Sequence, residues 1–435
     1  MSTLILDCET SVDNTLIGED RASPFYKENT VVALGSKFNY VKLSYGECVK
    51  DHAENALSNA TVLVGQNIRF DMHYLHKLLG HTFEEWLYNP EHLIWDTQLA
   101  EYLLTAQQHK YASLDELSLK YGGTIKDTKM KLFWECGGKT QDITINGEAT
   151  VQIPNPKSAT VTRILTSENE DEPETISLTV TREELLEYLE HDVLNTELVY
   201  LAQLETAEAV GMLPLIRTQM KALVATWEMM KNGMCFNMWR ALEQADKIEI
   251  QMNRLLEELQ VVVDKAHPLS PGLSPTSNDV LSRLLFGGPY TYKTTEVVLD
   301  EYGSPVVFKT GLKKGQTKTR SIEATDYVKG MVSPQEDWKA AKQGFFSVGK
   351  GTVEALLQSR DTPEEARWLL EKVETLRAMV KDRETYFIGF SKLAWPQEDG
   401  THRIHGKLNH TSTDTGRLSS SSPNMQNLSN KEREE

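Results

Sequence analysis

The sequence predicts an α/β fold for the first half of the chain and a mainly helical second half. In the first half, apolar strand-like runs such as LILDCET and TVLVGQN alternate with helical patterns, which indicates a mixed sheet flanked by helices. In the second half, apolar residues recur every three or four positions along two long stretches. With 435 residues, of which 40% are hydrophobic, the chain can bury at least two cores.

The strand-like run LILDCET carries the first candidate site. Side chains alternate faces along a strand, so Asp7 and Glu9 are expected to project to the same side. Two carboxylates held that close repel each other unless a cation stabilises the ionised pair. Magnesium and manganese ions prefer such oxygen ligands. The alternative is a solvated strand end, and the pair alone does not decide between the two.

The segment GQNIRFD carries the second candidate acid. The strand before it is predicted to end at Gly65 and a helix to begin near Asn67, which places Asp71 one turn into that helix. From there its carboxylate can face the edge of the sheet. The alternative is an ordinary acid at a helix start that interacts with the helix dipole.

The segment YLEHD carries the third candidate site. It lies on a helix predicted over 182–204, with Thr181 as the N-cap, and the i,i+4 spacing puts Tyr188 and Asp192 on one face. Asp192 lies at the edge of the apolar stripe, where an unpaired carboxylate is costly. A metal ion or a buried arginine would offset that cost.

Residues 127–181, between a helix predicted over 114–121 and the helix over 182–204, are rich in Thr, Val and Ile. This composition predicts a β-rich insertion, a hairpin or a small sheet, outside the catalytic framework. Its middle is the polar loop TSENEDEPET.

The second half contains two long amphipathic helices, predicted from Trp239 to Ala266 and from Pro363 to about Lys392. Their matching stripes indicate an antiparallel helical hairpin, which could equally be plain scaffold. Between them the stretch KTGLKKGQTKTR, residues 309–320, has five basic residues and no acid. It is either a solvated loop or a contact for a phosphate backbone.

The net charge of −17 is unevenly distributed. Residues 1–205 carry 33 acids against 16 Lys and Arg, whereas residues 206–435 carry 30 of each. An acidic region does not hold a phosphate backbone unaided, but a neutral region with local basic stretches can. The second half is therefore the part expected to contact nucleic acid.

Cysteine usage and hydropathy predict a soluble, cytoplasmic protein without a membrane partner. The four cysteines are far apart and are expected to stay reduced, which argues against a disulfide framework or a zinc site. The sequence has no apolar run long enough to span a membrane and no charged-then-apolar leader.

The order and spacing of D-x-E, N-x-x-F-D and Y-x-x-x-D closely resemble the proofreading 3′→5′ exonuclease domain of family A (DNA polymerase I-like) polymerases, which has a ribonuclease H-like fold. The resemblance implies that Asp7, Glu9, Asp71 and Asp192 hold two divalent ions, Mg²⁺ or Mn²⁺, and that Tyr188 positions the attacking water. A sister group has histidine five residues before the last aspartate, where this chain has glutamate.

The segment RIHGKLNHTSTDTGRLSSSSPNMQNLS, residues 403–429, resembles the TGRLSSxxPNLQN motif of the same family. The resemblance implies an early part of the polymerase palm, in which Arg417 contacts the minor-groove edge near the primer terminus. The duplex path would be lined by Asn424, Gln426 and Asn427. On the second long helix, Arg377 and Lys381 match the passage from thumb to palm, where DNA contacts are expected.

This resemblance predicts three domains. They are an exonuclease domain over 1–206, the beginning of the palm with the thumb over 207–400, and a partial palm with a charged tail over 401–435. A basic insertion near 286–345, of a kind common in phage-type relatives, would grip duplex DNA or bind a processivity factor.

The sequence ends before the remaining palm and fingers motifs of that family, so this chain alone is not expected to synthesise DNA. We expect a second polypeptide that completes a split phage polymerase. The alternative is that the sequence is a piece of a longer chain.

The predicted function is two-metal-dependent proofreading on a primer-template duplex and its single-stranded 3′ end. Two alternatives stay open. The chain could be a duplex-binding assembly subunit with an idle nuclease site, or an autonomous exonuclease that acts on RNA or in repair.

Overall fold

A computed structural model of the protein describes residues 2–13, 15, 21–125, 128–154 and 175–428. The chain forms two compact units, one built from Met1–Phe236 and Leu393–Glu435 and the other from Asn237–Lys392. Most of the polar loop TSENEDEPET and the charged tail NKEREE lie outside the described residues. Among the described residues, no helix is both long enough and apolar enough to cross a bilayer.

A mixed five-stranded sheet organises the first unit. Its strands are β1 (Thr3–Thr10), β2 (Val31–Lys37), β3 (Val41–Tyr45), β4 (Val62–Gly65) and β5 (Leu93–Asp96). They are arranged in the order β3-β2-β1-β4-β5, and the central strand β1 pairs antiparallel with β2 and parallel with β4. This mixed sheet confirms the predicted fold class.

Short helices connect and cover these strands. Each follows a strand or a turn. The buried apolar residues of the first four join the core of the sheet, whereas Leu114 and Leu117 of the fifth form a small separate cluster with Val199. The helices of this part are α1 (Cys48–Ser58), α2 (Arg69–Leu79), α3 (His81–Leu87), α4 (Thr97–Leu104) and α5 (Leu114–Tyr121).

The predicted β-rich insertion is only partly β. Its first part forms two helices, α6 (Thr128–Glu135) and α7 (Thr140–Asn146), so the prediction of strands from residue 127 is wrong there. In α7, Thr140, Ile143 and Thr144 are buried on one helical face, and this packing overrides the strand propensity of its Thr and Ile residues. In α6, Met130 and Phe133 are likewise fully buried on one face. The second part is the antiparallel hairpin of β6 (Glu148–Pro154) and β7 (Thr175–Thr181).

A 28-residue helix, α8 (Arg182–Ala209), follows β7 directly. Thr181 is its N-cap, and a reciprocal capping box with Glu184 satisfies the backbone N–H groups of both residues. The predicted domain boundary at residue 206 falls inside α8. The next helix, α9 (Leu213–Asn232), buries Trp227 in the same core as the sheet, so the first unit continues beyond that boundary and includes the short strand β8 (Met234–Phe236).

The second unit contains the predicted pair of long helices. The first is α10 (Met238–Ala266), and two shorter helices, α11 (Asn278–Phe286) and α12 (Lys350–Gln358), pack against the pair. The second long helix consists of α13 (Glu364–Lys381), a π-helical segment over Asp382–Ile388 and α14 (Gly389–Lys392). The pair is antiparallel, because Lys372 pairs with Glu258 at 2.8 Å while Arg383, farther along, pairs with Glu249 at 2.7 Å.

The predicted basic insertion forms a β-hairpin in the second unit. Its strands β9 (Gly288–Val297) and β10 (Thr319–Val328) pair antiparallel over their whole length. The stretch KTGLKKGQTKTR leads into β10, and Lys309, Lys313 and Lys314 are exposed.

The segment after residue 392 belongs to the first unit and does not form a unit of its own. Its strands are β11 (Ala394–Pro396), β12 (His402–Ile404), β13 (Lys407–Asn409) and β14 (Ser419–Ser421). Strand β12 pairs with both β11 and β8, and β13 pairs with β14. The pairing with β8 joins this late segment to the end of the earlier part of the unit.

Candidate metal centre

Three carboxylates converge at the end of β1. Asp7 and Glu9 are half-buried on the same face of this strand, and Asp192 of α8 is buried beside them. One oxygen of each carboxylate lies within 4.8 Å of the others, so the three groups can share a cation. Asp192 is far from the other two in sequence, and the packing of α8 on the sheet brings the three together.

A glycine on β2 sets how closely α8 approaches. Gly35 is directly opposite Asp7 in the antiparallel pair, and opposed residues project to the same face. A Cβ atom at Gly35 would lie 2.8 Å from Leu189 Cγ and 2.9 Å from Val193 Cγ2. Because Leu189 and Val193 flank Asp192 on the helix, the missing side chain allows Asp192 to reach Asp7.

Asp71 is tied to the same strand through the backbone. It lies in the first turn of α2, is 4% exposed, and accepts a hydrogen bond of 3.1 Å from the backbone N–H of Cys8. Burial, followed by the negative charge of Asp7, raises the pKa of Asp71 well above its ordinary value. The fourth predicted carboxylate thus lies near Asp7, although the group of three within 4.8 Å of one another does not include it, and a bound cation would favour its ionised form.

Tyr188 is buried one helical turn before Asp192. Its ring packs edge-on against Trp134, with 5.1 Å between ring centroids. Burial, followed by the charges of Asp192, Glu9 and Asp7, raises the pKa of Tyr188. The hydroxyl therefore stays protonated at neutral pH and can donate a hydrogen bond.

Sequence reasoning missed two neighbours of Tyr188. Trp134 lies on α6, in the segment predicted to be outside the catalytic framework, and this segment shares one hydrophobic core with Tyr188. Asp115, which is ion-paired with Lys131, adds to the negative potential that raises the pKa of Tyr188. The capping box at Ser113 places Asp115 in the first turn of α5, but no local pattern indicates which way it faces.

The donor set fits divalent ions that prefer oxygen. Among the described residues, the group of converging ligands contains carboxylates and neither histidine nor cysteine. Such all-oxygen sets suit Mg²⁺ or Mn²⁺ better than zinc or copper. Asp7, Glu9 and Asp192 would hold the ions, with Asp71 adjoining.

The predicted DNA-contacting residues of the first unit lie around β14. Arg417 is exposed just before this strand, and Asn427 is exposed at the end of the short 3₁₀ turn that follows it. The side chain of Asn424 accepts a hydrogen bond from the backbone N–H of Gln426, whose own side chain donates to the carbonyl of Leu418. DNA contact by these four residues stays a prediction.

The predicted DNA-contacting residues of the second unit lie on α13. The guanidinium of Arg377 donates hydrogen bonds to the carbonyl of Val348, to Glu374 and to Asn278, at distances of 3.0, 2.8 and 3.3 Å. Arg377 thus has a structural role within its unit, and Lys381 is exposed at the end of the helix. DNA contact by Arg377 and Lys381 also stays a prediction.

Comparison with known families matches two separate parts of the chain. Residues 5–137 match the family described as 3′-5′ exonuclease, and residues 327–435 match the family described as DNA polymerase family A. The first match includes Asp7, Glu9 and Asp71. The second includes the TGRLSS segment together with α13.

Individual relatives agree with these family matches. The thermostable DNA polymerase I of Thermus aquaticus and that of Thermus thermophilus are each 38% identical over 90 residues, which is 21% of this chain and 10% of each relative. The fold is similar to the POL domain of Pol1 from M. smegmatis, solved in complex with DNA primer-template and dNTP. The TM-score is 0.54 at 14% identity, over 98% of this chain and 53% of that one. The chain thus matches about a tenth of the length of these Thermus polymerases.

Proposed function

The chain belongs to DNA polymerase family A, and on this premise we propose that it is a divalent-metal-dependent 3′→5′ exonuclease that removes nucleotides from the 3′ end of DNA. The observation that carries the proposal is the convergence of Asp7, Glu9 and Asp192 within 4.8 Å of one another. Asp7 and Glu9 lie in the part of the chain that matches the 3′-5′ exonuclease family. Carboxylates in such a cluster are suited to binding ions that act on phosphodiesters.

Each residue has a distinct part in the proposed reaction. Asp7, Glu9 and Asp192 would bind the ions, and Asp71 would join them once a cation offsets its burial. When bound, two such ions stabilise charge on the attacking water and on the leaving 3′ oxygen. Tyr188 keeps its proton, so its hydroxyl can donate a hydrogen bond that orients the water or the scissile phosphate.

The test is the shortening of a 5′-labelled single-stranded DNA. With Mg²⁺ or Mn²⁺ we expect stepwise loss from the 3′ end, and with EDTA none. Asp7→Asn and Asp192→Asn should each reduce the rate at least about a hundredfold, because each removes a charged ligand. Asp51→Asn, which changes an exposed acid on α1, is the matched control and should leave the rate unchanged.

The same assay separates the alternative functions. An idle nuclease site in a duplex-binding subunit predicts no shortening with any metal, and this result would overturn the proposal. Faster shortening of an RNA strand than of a DNA strand of the same sequence would favour an RNA-trimming enzyme. A 3′ end blocked by phosphate should resist digestion if cleavage starts at that end.

We further propose that the second unit contributes contacts to duplex DNA. The exposed lysines before β10 support this, because a phosphate backbone attracts clustered cations. Arg417, Asn424, Gln426 and Asn427 are proposed to contact a primer-template duplex on the strength of the family A match over 327–435. The cytoplasmic location, the phage origin, the processivity factor and the second polypeptide stay predictions.

A further inference from the structure

A cavity of about 580 Å³ lies in the first unit beside the N-terminus of α2. Its wall includes Asn67 and Phe70, which shortly precede Asp71 in the chain, but none of the five predicted catalytic residues. The cavity therefore neighbours the candidate metal centre without being part of it. Its volume is in the range of pockets that hold small ligands.

The charges around the cavity favour an anionic ligand. Although the chain carries 63 acidic residues, none of the described residues that line the cavity is Asp or Glu, whereas Arg69 and Lys407 both are lining residues. The Nη1 atom of Arg69 donates to the carbonyl of Leu408 and lies 3.6 Å from the sulfur of Met230, which holds the guanidinium in the wall. Cations in a concave site of this kind attract phosphate groups.

Aromatic rings supply flat surfaces in the same cavity. Tyr111 is 53% exposed, and Trp395 is held in β11 by pairing with Arg403. On another part of the wall, the rings of Phe25 and His405 are stacked with 3.8 Å between their centroids. Rings next to cations form the combination by which proteins bind the bases and the backbone of a single strand.

One buried polar group in the wall has no partner in the part of the chain that the structure describes. His73 is 6% exposed, and its Nε2 atom makes no hydrogen bond to any described residue. A buried nitrogen of this kind is normally satisfied, and a ligand in the cavity is one way to satisfy it.

Backbone strain is concentrated at the cavity. Asn67, Tyr111 and Ser422 all line it, and all three have positive φ angles, of 51°, 49° and 50°. This conformation is unfavourable for residues other than glycine, particularly for a bulky tyrosine. Such strain occurs most often where a ligand is bound.

From these observations we infer that this cavity binds one nucleotide unit of a single-stranded nucleic acid. The base stacks on Tyr111 or Trp395, and the phosphate lies near Arg69 and Lys407. The inference deepens the proposed function, on which it rests for the choice of nucleic acid as the ligand. It concerns how the strand is held and not how the strand is cut.

Binding is measured with EDTA present, so that hydrolysis does not occur and the result is independent of the carboxylates. The probe is a 5′-fluorescein-labelled thymidine octamer, followed by anisotropy at several salt concentrations. We expect Tyr111→Ala to weaken binding about tenfold, because it removes a stacking surface. Lys407→Gln should lower the slope of log affinity against log salt by about 0.7, the value for one phosphate contact of a single strand.

Each variant has a matched control and a conservative partner. Tyr40→Ala and Lys221→Gln change exposed residues elsewhere in the first unit and should bind like the unaltered protein. Tyr111→Phe keeps the ring and should keep the affinity. If both pocket variants, shown by circular dichroism to be folded, bind the octamer as tightly as the unaltered protein, the inference is overturned.

Two further readouts use the unaltered protein and so do not depend on the folding of variants. An octamer that contains 5-iododeoxyuridine should crosslink under ultraviolet light to Tyr111 or Trp395, and crosslinks exclusively to other residues would refute the inference. Competition with thymidine 5′-monophosphate distinguishes the source of the nucleotide. A lower crosslink yield when the mononucleotide is added before irradiation assigns the pocket to a released mononucleotide, and an unchanged yield assigns it to the intact strand, so both results support a nucleotide site.

Discussion

At the scale of single residues, the candidate metal centre consists of carboxylates whose ionised form is unfavourable in the folded protein unless a cation is bound. Asp71 and Asp192 are each 4% exposed, and Asp7 lies near both. Concentrated negative charge of this kind is common at functional sites and costs stability. We therefore expect either the removal of one buried acid or the addition of a metal ion to raise the free energy of unfolding.

Asp71→Asn tests this directly. Burial and the charge of Asp7 raise the pKa of Asp71 in the folded protein. A carboxyl group whose folded pKa exceeds its unfolded pKa stabilises the protein below the unfolded value, and this contribution is lost as pH rises through the folded value. At neutral pH in EDTA we expect Asp71→Asn to raise Tm by about 2 °C or more.

The amide that replaces the carboxylate in this variant can still accept the hydrogen bond from the backbone N–H of Cys8, so the anchor to β1 is kept. Added Mg²⁺ should narrow or reverse the difference in Tm, because the unaltered protein has the additional charged ligand. A lower Tm for the variant in EDTA would contradict the explanation.

Tyr188→Phe tests the hydroxyl apart from the ring. Phenylalanine keeps the edge-on contact with Trp134 and loses only the hydrogen-bond donor. Removal of one preorganised donor typically lowers the rate about a hundredfold, so we expect a drop of that order in kcat with little change in KM. Steady-state rates on a labelled single strand give both constants. A mainly KM effect would indicate that the hydroxyl binds the ground-state substrate.

At the scale of elements, β2 and α8 form the contact on which the site depends. Gly35 carries no side chain where α8 passes over the strand, and this allows Leu189 and Val193 to pack against its backbone. Interiors are packed closely enough that an added side chain must displace a neighbour. The position of Asp192 relative to Asp7 is therefore set by the size of residue 35.

Gly35→Val should displace α8 and reduce both stability and metal binding. Overpacking of this kind costs about 1–3 kcal/mol in the free energy of unfolding. We expect Mg²⁺-dependent nuclease activity to fall by more than the decrease in folded protein accounts for, because the carboxylates separate. Denaturant unfolding and calorimetric titration with Mn²⁺ measure the two effects. Lys42→Val, at an exposed position on the neighbouring strand β3, is the control for the introduction of valine into the sheet.

The elements of the site were largely predictable from the sequence, whereas their supports were not. Alternation along β1 predicts that Asp7 and Glu9 share a face, and the capping box at Thr181 predicts where α8 begins. The helix that carries Trp134 was not predicted, because the Thr, Val and Ile content of the whole segment 127–181 indicated strands, whereas Met130 and Phe133 are buried on one helical face at its start. The role of Gly35 depends on a contact with residues of α8, far along the chain, which no local pattern encodes.

At the scale of the whole molecule, the predicted catalytic residues and the exposed basic stretch lie in different parts of the chain. The acidic first 205 residues contain all five predicted catalytic residues, and the neutral remainder contains the exposed lysines before β10. A phosphate backbone is repelled by the first region unless cations are bound there. The affinity of the whole chain for duplex DNA should therefore depend on the basic stretch.

Removing the positive charges of the stretch KTGLKKGQTKTR tests whether duplex binding depends on it. Replacement of Lys309, Lys313 and Lys314 by glutamine should lower the slope of log affinity against log salt, measured on duplex DNA, by about 0.9 for each phosphate contact that the replacement removes. Cleavage of a short single strand should be unaffected. The control for net charge is the replacement of three other exposed lysines by glutamine, namely Lys42, Lys221 and Lys350. Equal slopes for the two triple variants would show that the stretch makes no duplex contact.

The hydrogen bond from the backbone N–H of Cys8 to Asp71 makes the middle position of the D-x-E motif chemically permissive. Every amino acid except proline supplies the same donor, so alanine or serine at position 8 would leave the anchor of Asp71 in place. The side chain there is buried, so its volume is constrained, and the Cys8 thiol adds a second hydrogen bond to Asp71 that alanine would lack. The D-x-E motif therefore has a third requirement, a backbone amide hydrogen at its middle position, which sequence comparison alone would not reveal.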